Sequence, residues 1–326
     1  MVKLLDPQTI LNDRYKIAGP IGQGGMGAVY QAEDVLLTGR VCAIKEIAPD
    51  PDLDSKMLTQ LQEQFRQEAS VLARLDHPNL PKVSDYFTHA GREYLVMDFV
   101  PGHDLREILD QALSQSRFLD EKQVVNWAEQ LCDALAYLHS QTPPILHRDI
   151  KPSNIKLTPS GLLKLVDFGL VKLLTSDEAR TVTIVQGQGT AAYTPLEQYG
   201  GDDVHTDTRS DIYSLGATLY HLLTGRAPLT ARERFLRPEA FVLPRTVNPH
   251  ISIGVEQAIL NALELHPDQR PPKVEIFRDI LHQMALPTSL TPVLLTTREW
   301  QQAFKANLPI IAAVGGLLVL SLLLTP

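Results

Sequence analysis

The chain changes character at Pro101-Gly102, and that break limits the folds open to it. Before it, residues 14–100 read as strand-like runs around one helix. Tyr15-Lys16-Ile17, Ala28-Val29-Tyr30, Val41 to Ile47 and Glu93 to Val100 are the β-rich stretches. Lys56 to Arg74 has helical period, with Leu61, Phe65, Ala69 and Leu72 on one face. After the break the chain turns helical. Asp120 and Gln123 predict a capping box opening a helix whose buried stripe is Val124, Leu131, Leu135 and Leu138. Ser210 to Thr224 reads as a further helix, closed by Gly225. The expected architecture is α+β and two-lobed: a small β-rich lobe over 14–97, a connector over 98–102 and a larger helical lobe over 103–285.

With 326 residues, 44% hydrophobic and 21% charged, the chain can bury one large core or two closely packed ones. The formal net charge of −8 gives no footprint of a nucleic-acid binder. Cys42 and Cys132 both sit in apolar stretches and fit neither a disulfide framework nor a metal spacing, which predicts a reducing compartment. Met1 to Leu11 has too short an apolar run for a secretory leader. Residues 286–307, with Pro287, Pro292 and several Ser and Thr, read as a linker. Residues 308–324 carry no charge, and that length is at the lower edge of what spans a bilayer as a helix. Arg298 and Lys305 before the run predict that the bulk of the chain lies on the cytosolic side of a cell membrane, crossed once. A buried helix is the alternative, but the run is apolar on every face. With the sequence ending at Pro326, the expectation is a tail anchor or a truncated receptor form.

Three groups of residues carry chemistry. Gly22-Gln23-Gly24-Gly25-Met26-Gly27-Ala28-Val29 matches G-x-G-x-x-G-x-V, in which glycines let backbone N–H groups approach phosphate oxygens. Strand-like residues follow it rather than a helix, which argues against a dinucleotide site. Val41-Cys42-Ala43-Ile44-Lys45 then delivers one lysine from an apolar strand, placed to reach α- and β-phosphates; Glu68, near the inward face of the helix, is its expected counter-charge. The third is His147-Arg148-Asp149-Ile150-Lys151-Pro152-Ser153-Asn154, with Asp167-Phe168-Gly169 soon after. Phosphoryl transfer asks for positioning and charge neutralisation. Asp149 is expected to orient the attacking hydroxyl and accept its proton, and Lys151 to stabilise charge on the moving group. Asn154 and Asp167 offer hard oxygen ligands for Mg²⁺.

In this order and spacing the motifs resemble the eukaryotic-like (Hanks-type) protein kinases, above all the bacterial membrane-anchored serine/threonine kinases, over roughly residues 14–285. The resemblance implies a two-lobed kinase fold with ATP and Mg²⁺ in the cleft and protein serine or threonine side chains as acceptors. It implies that Met97 is the gatekeeper in Tyr94 to Val100, and that the backbone near Asp98 and Val100 meets adenine. Ile21, Gly22, Gly24, Gly27, Val29, Ala43 and Lys45 would complete the nucleotide site. Asp211 would brace the 147–154 loop, and Arg270 would pair with Glu197. Lys151, together with Thr190 ahead of Tyr193, looks like the serine/threonine branch. Arg148 beside Asp149 marks regulation by loop phosphorylation, with Thr181 and Thr183 as candidate autophosphorylation sites, a homodimer being one arrangement for transfer in trans.

The chain departs from the family at two places. Pro195-Leu196-Glu197 replaces the usual Ala-Pro-Glu, and Lys156 falls where an apolar residue forms the floor under adenine, opposite Val29 and Ala43. Its stem is expected to cover the ring while the ammonium reaches water. A membrane-tethered pseudokinase scaffold is the rival reading, although no catalytic residue is missing; a small-molecule phosphotransferase is another, opposed by Thr190 and the long segment before it.

Overall fold

Alternation along neighbouring strands organises the N-terminal lobe. The computed structural model describes residues 4–24, 27–47, 55–167, 190–199 and 206–285. Strands β1 (Ile10–Leu11), β2 (Tyr15–Gly24), β3 (Gly27–Asp34), β4 (Val41–Ile47), β5 (Val83–His89) and β6 (Arg92–Asp98) form an antiparallel sheet in the order β1-β2-β3-β4-β6-β5. Helix α1 (Ser55–Leu72) is inserted between β4 and β5. Ala28, Tyr30 and Ala32 of β3 are buried with Cys42 and Ile44 of β4, against Tyr15, Ile17, Phe87 and Val96, and Leu4 and Leu5 pack on this core. Glu46 is buried on the same side. Its carboxylate accepts from Tyr30 Oη at 2.8 Å and Tyr94 Oη at 3.2 Å and pairs with Arg92, while Leu5 N donates to Tyr30 Oη at 3.1 Å. A buried carboxylate is tolerated because every partner is supplied. Residues of opposite parity on β4, Ala43, Lys45 and Ile47, take the other face, where Ile47 joins Phe65 and Ala69 of α1.

The second lobe starts with β7 (His103–Asp104) and α2 (Leu105–Ser114), which opens on a full capping box between Asp104 and Glu107. Asp120 caps α3 (Glu121–His139) by accepting from Gln123 N; of the two bonds of the expected box, only this one is present among the described residues. β8 (Ile155–Leu157) and β9 (Leu163–Leu165) pair with β7 in a small antiparallel sheet. Helix α4 (Thr208–Thr224) is buried along nearly its whole length and is closed by Gly225 at φ 70°, the left-handed cap that the sequence suggests. Helices α5 (Ala231–Leu236), α6 (Pro244–Val247), α7 (Ile253–Ala262) and α8 (Val274–Ala285) surround it. The core runs from Leu131, Leu135 and Leu138 of α3 through Ile212 and Leu215 of α4 to Val255 and Phe277. The expected two-lobed α+β arrangement is therefore present. Among the described residues no helix is long and apolar enough to cross a membrane. The linker 286–307 and the apolar run 308–324 lie outside them.

Candidate active site

The cleft is roofed by the β2–β3 hairpin. Gly24 pairs with Gly27 across its turn, and Gly22 with Val29. Gly27 runs at φ 157°, and a Cβ there would come within 1.9 Å of the Glu46 carbonyl oxygen, so glycine alone lets β3 pass this close to β4. At Gly22 a Cβ would meet only the Val29 side chain, at 3.8 Å, so packing within the sheet does not demand the glycine there. Ile21 stays exposed near the end of β2. Val29 stands opposite Lys45 in the β3–β4 register.

Lys45 reaches across the cleft to a residue 122 positions later: its Nζ lies 2.9 Å from Asp167 Oδ1. Asp167, two residues past the end of β9, adopts φ 60°. Burial would push its carboxyl up, but the Lys45 ammonium, with a smaller pull from Lys151, outweighs that and holds it below the usual range. The backbone of Glu68 belongs to α1; its side chain, the expected partner of Lys45, lies outside the described residues. Between Lys45, Asp167 and Met97 an apolar cavity is lined by Leu72, Leu75, Val83 and Leu95.

Below the roof, the 147–154 loop is pinned from α4. Asp211, fully buried, accepts from His147 N at 2.9 Å and Arg148 N at 2.8 Å, and His139 Nε2 lies 2.9 Å from the same carboxylate. Burial opposes the charge on Asp211, yet the His139 contact, with smaller pulls from the His147 ring and the Arg148 amide, keeps its carboxyl low. His147 is buried, which pushes its imidazole down. Its Nε2 lies 3.2 Å from Val166 O and its Nδ1 3.4 Å from Asp149 N, an arrangement met by the neutral ring with the proton on Nε2. The Asp149 carboxylate is held by Lys151 Nζ at 2.9 and 3.1 Å and by Asn154 Nδ2 at 2.8 Å. Asn154 Nδ2 also donates to Asp149 O at 2.8 Å, which leaves the amide oxygen as an acceptor, and Val166 N ties Asn154 O to the approach of Asp167.

The segment 190–199 flanks this loop. Thr190 Oγ1 accepts from Lys151 Nζ at 3.0 Å. Glu197 is buried in a bidentate pair with Arg270, at 2.5 and 3.0 Å, and accepts from Ser210 Oγ at 2.8 Å, so the Pro195-Leu196-Glu197 departure leaves the expected ion pair in place. Arg148 runs at φ 64° and donates from Nη2 to Thr206 Oγ1 at 3.2 Å. Thr181 and Thr183 lie outside the described residues.

On the connector side, Met97 pairs with Ala43 and Asp98 with Cys42. Asp98 N donates to Lys82 O at 3.0 Å. Val100 is buried, and its N–H makes no hydrogen bond among the described residues. Lys156 is half-buried in the middle strand of the small sheet, and its ammonium is not simply given to water: Nζ donates to Gly102 O at 3.2 Å. Two features went unread in the sequence although a signal was there. Asp104-x-x-Glu107 has the spacing of a capping box, and Ser214, Thr218 and His221 fall on one face of α4.

A five-stranded core sheet extended by β1, a lysine-to-aspartate bridge across a cleft and a loop held by a buried aspartate define the protein kinase fold. The comparisons give the family. Residues 15–280 match the protein kinase domain model, so the chain belongs to the protein kinase family, in its bacterial Hanks-type serine/threonine branch. It is 37% identical over 227 residues to serine/threonine-protein kinase B of Synechocystis sp., an alignment covering 67% of this chain and 38% of that one. It is 33% identical over 270 residues to serine/threonine-protein kinase PknB of Mycobacterium leprae, covering 80% and 41%. The chain thus spans about two fifths of the length of these relatives. Among solved structures it is similar to the PpkA-294 apo form, with TM-score 0.67, 27% identity and coverage of 85% and 99%. The crystal structure of the Mycobacterium tuberculosis PknI kinase domain, with TM-score 0.66, 24% identity and coverage of 86% and 99%, shares the fold.

Proposed function

We propose that this chain transfers the γ-phosphate of Mg·ATP to serine and threonine hydroxyls of proteins. The observation that carries the reading is the convergence of Lys45 with Asp167 and of Lys151 and Asn154 with Asp149 on one cleft beneath the glycine hairpin. In this reading Lys45 binds the α/β-phosphates, with Glu68 as its partner on α1. The N–H groups of the glycine hairpin meet the phosphates at a surface kept thin at Gly22, where packing asks for no glycine. The buried Val100 N–H, without an acceptor among the described residues, suits an acceptor nitrogen of adenine. Ile21, Val29 and Ala43 cover the base from above, Lys156 lies below it, and Met97 closes the inner end beside the Asp98 backbone.

The donor set fits magnesium: Asn154 donates from Nδ2, its amide oxygen meets no donor among the described residues, and Asp167 is held in its charged form. Asn154 and Asp167 would hold Mg²⁺, which when bound neutralises charge on the phosphates. Asp149 orients the acceptor hydroxyl and takes its proton, its carboxylate being fixed by Lys151 and Asn154. Lys151, shared between Asp149 and Thr190, stabilises charge on the group in transit. Thr181 and Thr183 are the proposed sites of autophosphorylation, read from sequence, with a homodimer as the setting for transfer in trans.

We further propose that the uncharged run 308–324 crosses the cell membrane once, with the kinase domain over 14–285 on the cytoplasmic side and 286–307 as linker. The catalytic reading is tested by incubating the full chain with Mg·[γ-³²P]ATP. Label in the wild type, reduced by a factor of about 10²–10⁴ in Asp149→Asn, is the expected result. Equal label in both would remove Asp149 from the chemistry, and no label in either would favour a nucleotide-binding scaffold.

A further inference from the structure

We infer that His221 is a positioning residue for the protein acceptor, acting through the Tyr193 hydroxyl on the segment that carries Thr190; the inference rests on the phosphotransfer reading above. Helix α4 is the most deeply buried helix of the larger lobe, yet one of its faces is polar. Ser214 Oγ donates to Tyr193 O at 2.8 Å, and one turn on Thr218 Oγ1 lies 3.3 Å from Ile150 O, inside the loop that bears Asp149. Another turn on, His221 Nδ1 lies 2.5 Å from Tyr193 Oη, with both residues buried. One helix face therefore grips the 147–154 loop and the 190–199 segment together.

The grip leads to the reacting atoms by a continuous path. Tyr193 N donates to Thr190 O at 3.0 Å, and Thr194 Oγ1 donates to the same carbonyl at 3.1 Å. Thr190 Oγ1 in turn accepts from Lys151 Nζ, which holds Asp149. With its proton on Nε2, the imidazole offers its Nδ1 lone pair to the phenol O–H. A Leu of similar size would fill the space but offer no acceptor, leaving a buried hydroxyl unsatisfied and Tyr193 free to shift. The path ends at Lys151 and the Asp149 carboxylate, which in the proposed function takes the acceptor's proton, and it bypasses Lys45, Met97 and Val100. Loss of the contact is therefore expected to weaken use of the protein acceptor and to spare ATP.

The test measures transfer by the full chain from Mg·ATP to dephosphorylated casein, with KM determined for each substrate. Tyr193→Phe and His221→Leu should each raise the casein KM about tenfold, the scale of one buried hydrogen bond, with the ATP KM within about twofold of wild type. His221→Asn, whose amide can meet the phenol, should return to within about threefold. The double variant Tyr193→Phe/His221→Leu should be no worse than either single one, because both remove the same contact. Casein and ATP KM values that move together, losses that multiply in the double variant, or a Tyr193→Phe enzyme indistinguishable from wild type would overturn the inference. If His221→Leu does not fold, Tyr193→Phe and His221→Asn decide it. Failure of the wild type to transfer phosphate to casein or to itself would instead overturn the phosphotransfer reading, and this inference with it.

Discussion

Lys156 shows how one side chain can depart from a family pattern without disrupting the strand that bears it. It sits between Asp104 and Lys164 in the small sheet, and like charges directly opposite one another destabilise a sheet. The two ammonium groups avoid each other by reaching different carbonyls, Lys156 to Gly102 O and Lys164 to Leu80 O. The Lys156 stem is thereby fixed rather than free. Replacing it by Leu should give the base a fully apolar floor and lower the ATP KM by about three- to tenfold, as about 1 kcal/mol of added contact would. An unchanged ATP KM would show that the side chain is not under the base. Residues of this kind are legible when the motif is contiguous, as in His147 to Asn154. The bridge from Lys45 to Asp167 was harder to read, because each had a nearer charged neighbour in the sequence and only the fold joins strands so far apart.

At the scale of elements, the buried pair of Glu197 and Arg270 binds the segment 190–199 to the far end of the larger lobe. Arg270 also donates to Glu264 O at 2.7 Å and Leu265 O at 2.9 Å, and its guanidinium lies over the Tyr213 ring. Removing one partner leaves an uncompensated buried charge, so Arg270→Ala should lower the unfolding free energy by about 3–5 kcal/mol, read by chemical denaturation. A loss under about 1 kcal/mol would mean that solvent or other groups replace the pair. Helices with a clear period and a cap, α3 and α4, follow from sequence because burial and capping agree. The strands β7, β8 and β9 do not, since two or three residues cannot display a period of two. The polar face of α4 stayed hidden for a different reason: Ser, Thr and His are common in helices, and only packing reveals that these are buried against loops.

For the whole molecule, two lobes joined by a short connector place the glycine hairpin and the 147–154 loop on facing surfaces, and that division was visible in the change of pattern at Pro101-Gly102. The proposal of membrane attachment rests on the sequence of residues 308–324 alone. The full chain is expected to sediment with membranes and to resist carbonate extraction, whereas deletion of 308–324 should release it. A full chain recovered in the soluble fraction would end that proposal. The outer face of the smaller lobe has a practical corollary. Leu5 N and Tyr30 lead to the Glu46 carboxylate, which also holds Arg92 and lies one residue from Lys45. Trimming the first five residues would strip a lid from that carboxylate, let water in behind the sheet, and loosen the strand that carries Lys45. On the proposed function, an N-terminal tag or cleavage site placed hard against Leu5 would thus alter nucleotide affinity from the face of the sheet opposite Lys45.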